Sequence, residues 1–440
     1  MTTALFGLWL AAAAGIPAVT AQDIAPVTDA DYPGSTPAEL RLGQLLFYDP
    51  ILSGNRNIAC ATCHHPRFAT GDGLALGLGE GGIGLGPARR ADPANLPEQR
   101  IPRHAPALFN LGAREFTTLF HDGRIEVDPG KPGGLRTPLG QEMTEGFSGI
   151  LSAQTMFPVL SPDEMAGHYS ENEVSQAVRL GRITGPGGAW DLIAGRVRPL
   201  PEYADLAARA YPHIAAGAPL GFTDISNAIA AFMAFEWRSD TSPFDAHLRG
   251  TAPLTGAAAA GMALFYGRAG CGDCHAGPFQ TDHGFHAMAQ PQLGPGKAAR
   301  FETHSRDIGR QRVTGRAEDA YAFRTPSLRN VTATAPYGHT GAFADLRRFL
   351  THHIDPANAA PPDKATIPLP PLAGARDWQS FDDTEELTAI RAAVGRPPVA
   401  LTPADIDALL AFLEALSDSQ ALAGRIGVPQ MVPSGLPVER

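Results

Sequence analysis

Apolar residues recur at helical spacing most clearly over 225–237 and over 403–422, the second opened by a Thr402-Pro403 start signal. Two shorter stretches also read as helices. Ser35-Thr36-Pro37-Ala38-Glu39 has the form of a cap with proline just inside, and the apolar positions continue over 42–47. Leu254-Thr255 opens the other, which runs over 257–266. No stretch sustains the period-two alternation of a half-buried strand. The Gly- and Pro-rich segments 77–87, 128–140 and 356–373 read as long connections wrapped around helical cores. The pattern predicts a mainly α fold with long loops.

The helical leads carry the same string, Gly43-x-x-Leu46-Phe47-Tyr48 and Gly261-x-x-Leu264-Phe265-Tyr266. Each is followed by a cysteine motif, Cys60-Ala61-Thr62-Cys63-His64 and Cys271-Gly272-Asp273-Cys274-His275, starting 211 residues apart. Further on, Pro106-Ala107-Leu108-Phe109-Asn110 leads to Phe120-His121-Asp122-Gly123. Its counterpart is Pro326-Ser327-Leu328-Arg329-Asn330, leading to Tyr337-Gly338-His339-Thr340-Gly341. The pieces recur in one order, which implies a duplicated unit with the second copy starting near Thr251.

A chain of 440 residues allows two or three domains and buries ample core without staples. The net charge of -10 argues against nucleic-acid binding, which needs basic residues to neutralise phosphates. Only Lys131, Lys297 and Lys364 are lysines, a sign of arginine-biased composition more than of function. Residues 4–19 form an apolar run ending in Val19-Thr20-Ala21, the form of a cleaved export signal that would leave Gln22 first. The competing reading is an uncleaved anchor, for which the run is short. The expectation is an exported, periplasmic protein with no membrane span.

All four cysteines fall in the two motifs, so none is left for a separate disulfide. Cys-x-x-Cys-His is the attachment motif of a c-type haem: two thiols add across the vinyl groups, and the adjacent imidazole meets the iron. Zinc and a redox dithiol are the competing uses of Cys-x-x-Cys. Two copies, each with its own histidine, favour two covalent haems with His64 and His275 as proximal ligands. Function then rests on the opposite face of each iron, since a sixth protein ligand makes an electron-transfer haem and an open face admits peroxide. Candidates for that ligand in the second unit are His283, His286, His304, His339, His352, His353, Tyr321 and Tyr337. After Met288 the only methionine is Met431.

With these motifs the chain resembles the bacterial di-haem cytochrome c peroxidase family, including its MauG-type members, over nearly its whole length after the export segment. Leu46-Phe47-Tyr48-Asp49-Pro50-x-Leu52-Ser53, Phe120-His121-Asp122-Gly123-Arg124, and 157–165 (Phe-Pro-Val-Leu-Ser-Pro-Asp-Glu-Met) carry the likeness. So does the stretch from Thr325-Pro326-Ser327-Leu328-Arg329-Asn330 through Ala335-Pro336-Tyr337-Gly338-His339. The resemblance implies a peroxidatic pocket with a glutamine and a glutamate ten residues apart, here Gln154 and Glu164, and a proline at Pro158. Such a glutamate can move a proton from one peroxide oxygen to the other while the amide steers the peroxide. Without the resemblance, Glu164 is also explicable as a first-turn acid favoured by the helix dipole.

The family's sixth ligand for the second haem stands about fourteen residues past the histidine of the late signature. Counted from His339, that is His353, with His352 as the alternative. The same two histidines would also suit the last turn of a surface helix. Two indoles of the family are missing, with His121 and Ala269 at their positions. The resemblance also implies calcium held by an asparagine and two backbone carbonyls. Thr334 and Pro336 match the carbonyl positions, but His104 replaces the asparagine, and imidazole is a poor ligand for so hard a cation.

The expected organisation is a signal peptide over 1–21, an N-terminal cytochrome c-like helical domain with the peroxidatic haem over 22–250, a C-terminal one with the electron-transfer haem over 251–422, and a tail over 423–440. The expected activity is reduction of hydrogen peroxide with electrons from a small redox protein, a cytochrome c or a cupredoxin. The competing readings are a MauG-like oxidase that modifies a side chain of a partner protein, and a non-enzymatic di-haem electron carrier.

Overall fold

A computed structural model describes residues 24–143, 145–297, 302 and 304–440. The export segment expected at 1–21 lies outside these residues. Helices dominate. Sheet is confined to small antiparallel pieces: Gly82–Ile83 with Arg90–Ala91; Thr118–Leu119, Ile125–Val127 and Leu135–Arg136 together; and Phe285–Ala287 with Ala322–Arg324. Strands of two or three residues are too short to write a period into the sequence.

The helices that position the site are α1 (Pro37–Tyr48), α2 (Phe222–Glu236), α3 (Gly256–Phe265), α4 (Leu346–Ile354), α5 (Pro403–Glu414) and α6 (Ser419–Ala423). Thr36 caps α1 by accepting the Glu39 N–H at 3.2 Å, and Pro37 occupies the first turn, where its missing N–H costs nothing. Thr402 caps α5 in the same way through the Asp405 N–H at 3.2 Å.

The helix expected over 403–422 is two. α5 ends at Glu414, and α6 starts again at Ser419. Asp418 enforces the break: it accepts the Gln420 and Ala421 N–H groups as the α6 cap, and also the Asp240 and Thr241 N–H groups at 2.9 and 2.8 Å. The Thr241 hydroxyl donates to it as well, and one carboxylate satisfying five donors outweighs continued helix.

The duplication is visible in three dimensions. α1 crosses α2 at Gly43, where a Cβ would stand 1.8 Å from the Ala228 carbonyl oxygen and 2.8 Å from Phe232 Cβ. α3 crosses α5 at Gly261, where a Cβ would stand 1.9 Å from the Ala408 oxygen and 2.9 Å from Phe412 Cβ. The next residues of each string complete the match, with Phe47 on Phe232 at 5.5 Å between ring centroids and Phe265 on Phe412 at 5.1 Å. Asn110 and Asn330 share φ of 63°. Each accepts a backbone N–H at 2.7 Å with its amide oxygen, from Ser239 just past α2 and from Asp418 just past α5.

One apolar cluster surrounds α1 and α2, a second joins Phe244, Phe265 and Phe412, and a third unites Ala75 and Leu76 with Leu293, Tyr337, Phe343 and Phe381 from the second half. Buried Arg103 ties the same halves electrostatically. Its guanidinium makes a two-pronged pair with Asp307 at 2.7 and 2.8 Å and reaches Asp122 at 2.7 Å. Among the described residues no helix is long and apolar enough to cross a membrane.

Candidate active site

Cys60–Cys63 form one helical turn with His64 at its C-terminal end, and Cys271–Asp273 form a tighter 3-10 turn ahead of Cys274 and His275. Both imidazoles are held alike: the Nδ1–H of His64 donates to the Thr70 carbonyl at 2.9 Å, and that of His275 to the Gln280 carbonyl at 3.0 Å. This selects the tautomer whose Nε2 is a free lone pair, as an iron ligand requires. Burial pulls both imidazoles below the usual histidine range, which keeps them neutral.

The thiols form no disulfide. Burial pushes Cys60 up to about 12 and Cys271 up to about 11, and it also raises Cys63. A redox dithiol needs the opposite shift. Zinc is no better served, since each motif offers two thiols and one imidazole. The described residues contain one wider cluster with metal-binding spacing, Cys274 with Asp282 and His286, and it borrows a motif cysteine. The donor sets therefore fit a covalent haem better than either competing use.

A shared cavity is lined by His275, His353, His121, Gln154, Phe323 and His339, among others. Of the two histidines in the last turn of α4, His353 turns into it. The His353 Nδ1–H donates to the Phe349 carbonyl at 3.1 Å, so Nε2 carries the lone pair. Burial, with smaller contributions from the nearby His352 and His275 imidazoles, holds His353 down to about 3. His352 instead gives its Nε2–H to the Met288 carbonyl at 2.8 Å.

Of the remaining candidates, His339 and Tyr337 also line the shared cavity, His339 with its Nε2 buried and unpartnered, and the others are engaged elsewhere. His283 meets Glu115 at 3.1 Å, His286 meets Asp282 at 2.8 Å, and Tyr321 and Tyr337 donate to Glu386 and to the Val331 carbonyl. His304 accepts the Arg306 N–H at 3.2 Å, and His339 stacks on Phe323 at 3.8 Å.

Gln154, which lines the shared cavity, lies near the end of the helix Ile150–Thr155, and its Oε1 is buried with no hydrogen-bond partner. Such an orphaned acceptor marks a place where a donor belongs. Pro158 opens a 3-10 turn, and Glu164 sits in the short π-helical segment Pro162–Ala166. Burial raises the Glu164 carboxyl above the usual range, while Lys297 and Arg124 pull the other way. Arg124 lies flat over the Phe120 ring at 3.5 Å, and Phe120 meets Phe157 edge-on at 6.1 Å. Lys297, Arg124, Arg103 and Asp307 carry the local charge balance, and residue spacing assigns a role to none of them. The one sequence signal for Lys297 is its rarity as a lysine.

Thr334 and Pro336 line the shared cavity together with His104. The His104 Nδ1–H is committed to the Leu74 carbonyl at 2.8 Å, and its side chain offers no oxygen. Calcium takes six to eight oxygen ligands, and two carbonyls beside an imidazole do not supply them. The residues present do not fit the ion.

These features define a protein built for haem redox chemistry. A sequence model described as di-haem cytochrome c peroxidase matches residues 37–253. The methylamine utilization protein MauG of Methylorubrum extorquens is 30% identical over 323 residues, covering 72% of this chain and 69% of that one. The cytochrome c551 peroxidase of Pseudomonas aeruginosa is 29% identical over 310 residues, covering 70% and 68%. In fold, the chain resembles a MauG-like protein associated with microbial copper homeostasis (TM-score 0.57, 24% identity, 94% of this chain and 97% of that one). It likewise resembles the diheme peroxidase BthA from Burkholderia thailandensis (TM-score 0.57, 23% identity, 92% and 91%). The chain belongs to the di-haem cytochrome c peroxidase family, whose named members here are oxidoreductases.

Proposed function

We propose that this protein is an exported, periplasmic di-haem c-type peroxidase of two cytochrome c-like domains, 22–250 and 251–422. It reduces hydrogen peroxide to water with electrons from a small redox protein such as a cytochrome c or a cupredoxin. Cys60, Cys63 and His64 would hold one haem, and Cys271, Cys274, His275 and His353 the other. When bound, the two haems supply the electrons that cleaving the peroxide bond requires, two per molecule along with two protons.

The remaining work falls to side chains. Glu164, ionised, takes the proton from the peroxide oxygen nearer the first iron and returns it to the departing oxygen, which leaves as water. Burial raises its proton affinity, which suits a group that must both accept and release a proton. Gln154, with its acceptor unpartnered, orients the peroxide through an O–H donated to Oε1. Pro158 holds the turn between Gln154 and Glu164.

The observation that carries this reading is an asymmetry between the two motifs. An imidazole with a free Nε2 lines one cavity with His275, whereas Glu164, not a strong iron ligand, is an electrostatic neighbour of Cys63 in the first motif. Electron paramagnetic resonance of the ferric holoprotein tests it. One high-spin and one low-spin iron, with the high-spin signal changing on peroxide addition and turnover of reduced cytochrome c, is the expected result. Two low-spin irons in every redox state would leave only an electron carrier.

The second reading is a MauG-like oxidase acting on a side chain of a partner protein, favoured by the likeness to MauG over 72% of the chain. Peroxide-dependent change in a co-purified protein, with no cytochrome c turnover, would select it.

A further inference from the structure

Buried arginines in this protein come with acids. Arg100 pairs with Asp377, Arg103 with Asp307 and Asp122, and Arg329 with Asp245, each at 2.7 Å. The rule is physical, since a guanidinium taken out of water needs an opposite charge. Arg324 breaks it. Its Nε donates to the Phe120 carbonyl at 3.3 Å and its Nη1 to the Thr325 carbonyl at 3.2 Å, and among the described residues no carboxylate pairs with it. Enclosure pulls its guanidinium down to about 10, with no acid opposing the shift.

The place of this unmatched cation is specific. The Arg324 side chain is half-buried and lines the shared cavity with His275 and His353. Arg329, the other arginine lining that cavity, is the one paired with Asp245. The Thr325 carbonyl that Arg324 meets also accepts the Thr281 hydroxyl at 2.7 Å, and the carbonyl of the preceding residue, Gln280, holds His275. The guanidinium is thus fastened to the segment that orients the second proximal imidazole. On its other side the Arg324 N–H donates to the His121 carbonyl at 2.8 Å. With Nε and Nη1 engaged by carbonyls, the guanidinium still has N–H groups to spare, and its planar fork suits a carboxylate.

A haem attached through both vinyl groups keeps its propionates, so it brings carboxylates of its own. We infer that Arg324 is the carboxylate-binding residue of the shared cavity, its guanidinium neutralising a propionate of the haem held by Cys271, Cys274, His275 and His353. This rests on the placement of that haem. The same side chain holds the Phe120 carbonyl, and its N–H the His121 carbonyl, so the charge of the second haem is fastened to the first half of the chain. A cation beside the propionate also favours the reduced haem, which makes Arg324 a determinant of its potential.

The test uses full-length holoprotein with Arg324→Gln and Arg324→Lys, and reads the midpoint potential of the low-spin haem by redox titration. In the Gln variant that potential should fall. It should also become pH-dependent across the weakly acid range, because an uncompensated propionate takes up a proton there. The parent potential should be flat over the same range, and Lys should restore both features. Haem absorbance per mole of protein should be the same in all three, since attachment is through the cysteines. Acetate added to the parent at constant ionic strength should leave the potential where it is, because the cation is already matched. A potential that moves with acetate would show a guanidinium open to solution carboxylates and would overturn the assignment. So would a Gln variant that loses stability while its potential stays unmoved. Should neither variant fold, the parent's pH profile and its response to acetate still decide. A parent protein without a low-spin haem would overturn the placement of the second haem itself, an outcome distinct from an unmoved potential.

Discussion

The Nε2–H of His121 donates to the backbone carbonyl of His104 at 3.1 Å, so the two histidines that stand where the family resemblance has tryptophan and asparagine form one unit. His104 in turn gives its own Nδ1–H to the Leu74 carbonyl at 2.8 Å. Burial lowers both imidazoles, to about 4 for His104 and about 3 for His121, so both are neutral and serve as fixed donors. Replacing His121 by Phe leaves the His104 carbonyl unpaired. A loss of about 1–3 kcal/mol in chemical denaturation is expected.

Glu164→Gln keeps the volume of the pocket and removes the base. Peroxide turnover should fall by roughly two to four orders of magnitude, the usual worth of a positioned general base. The haem absorbance per mole of protein should be unchanged. A variant with near-normal turnover would show that protons move by another route.

His353 and His352 are neighbours with opposite commitments, and single alanine variants should separate them. His353→Ala should abolish the low-spin ferric signal of the second haem. His352→Ala removes one hydrogen bond to the Met288 carbonyl, costs about 1 kcal/mol, and should leave that signal in place.

The Arg103 cluster sets an acid limit on the joint between the halves. Arg103 opposes burial to hold Asp307 down at about 2, and it depresses Asp122 as well. Carboxyls with folded values below their unfolded ones bind fewer protons when folded. Their contribution is complete above about pH 4 and drains away as pH falls toward 2. Arg103→Met should destabilise by about 3–5 kcal/mol at neutral pH, because it strands the buried Asp307 carboxylate and leaves Asp122 with Arg124 alone. That difference should shrink on acidification, as read by denaturation at several pH values.

Gly43 and Gly261 provide a paired test of the duplication. An alanine at either forces a methyl into a helix carbonyl, so Gly43→Ala and Gly261→Ala should each cost about 1–3 kcal/mol or more. Thermal unfolding of the two variants should show similar losses if the crossings are equivalent.

The sequence alone determined the parts that depend on local chemistry. Thr36-Pro37 and Thr402-Pro403 are helix starts in any context, because cap and proline act within one turn. The repeated Gly-x-x-Leu-Phe-Tyr strings marked a duplication, because the same crossing needs the same small residue and the same ring twice. Spacing proposes His353 with His352 as the alternative, since adjacent positions differ by only one residue in a count.

Only the tertiary structure gives the two rings different surroundings, through which carbonyl each ring reaches. It also broke the expected 403–422 helix at Asp418, whose carboxylate is claimed by backbone from a segment some 180 residues away. The Arg103–Asp307 pair joins residues 204 positions apart. Such pairings are set by how the two halves seat on each other, and no local pattern in the chain encodes the distance between them.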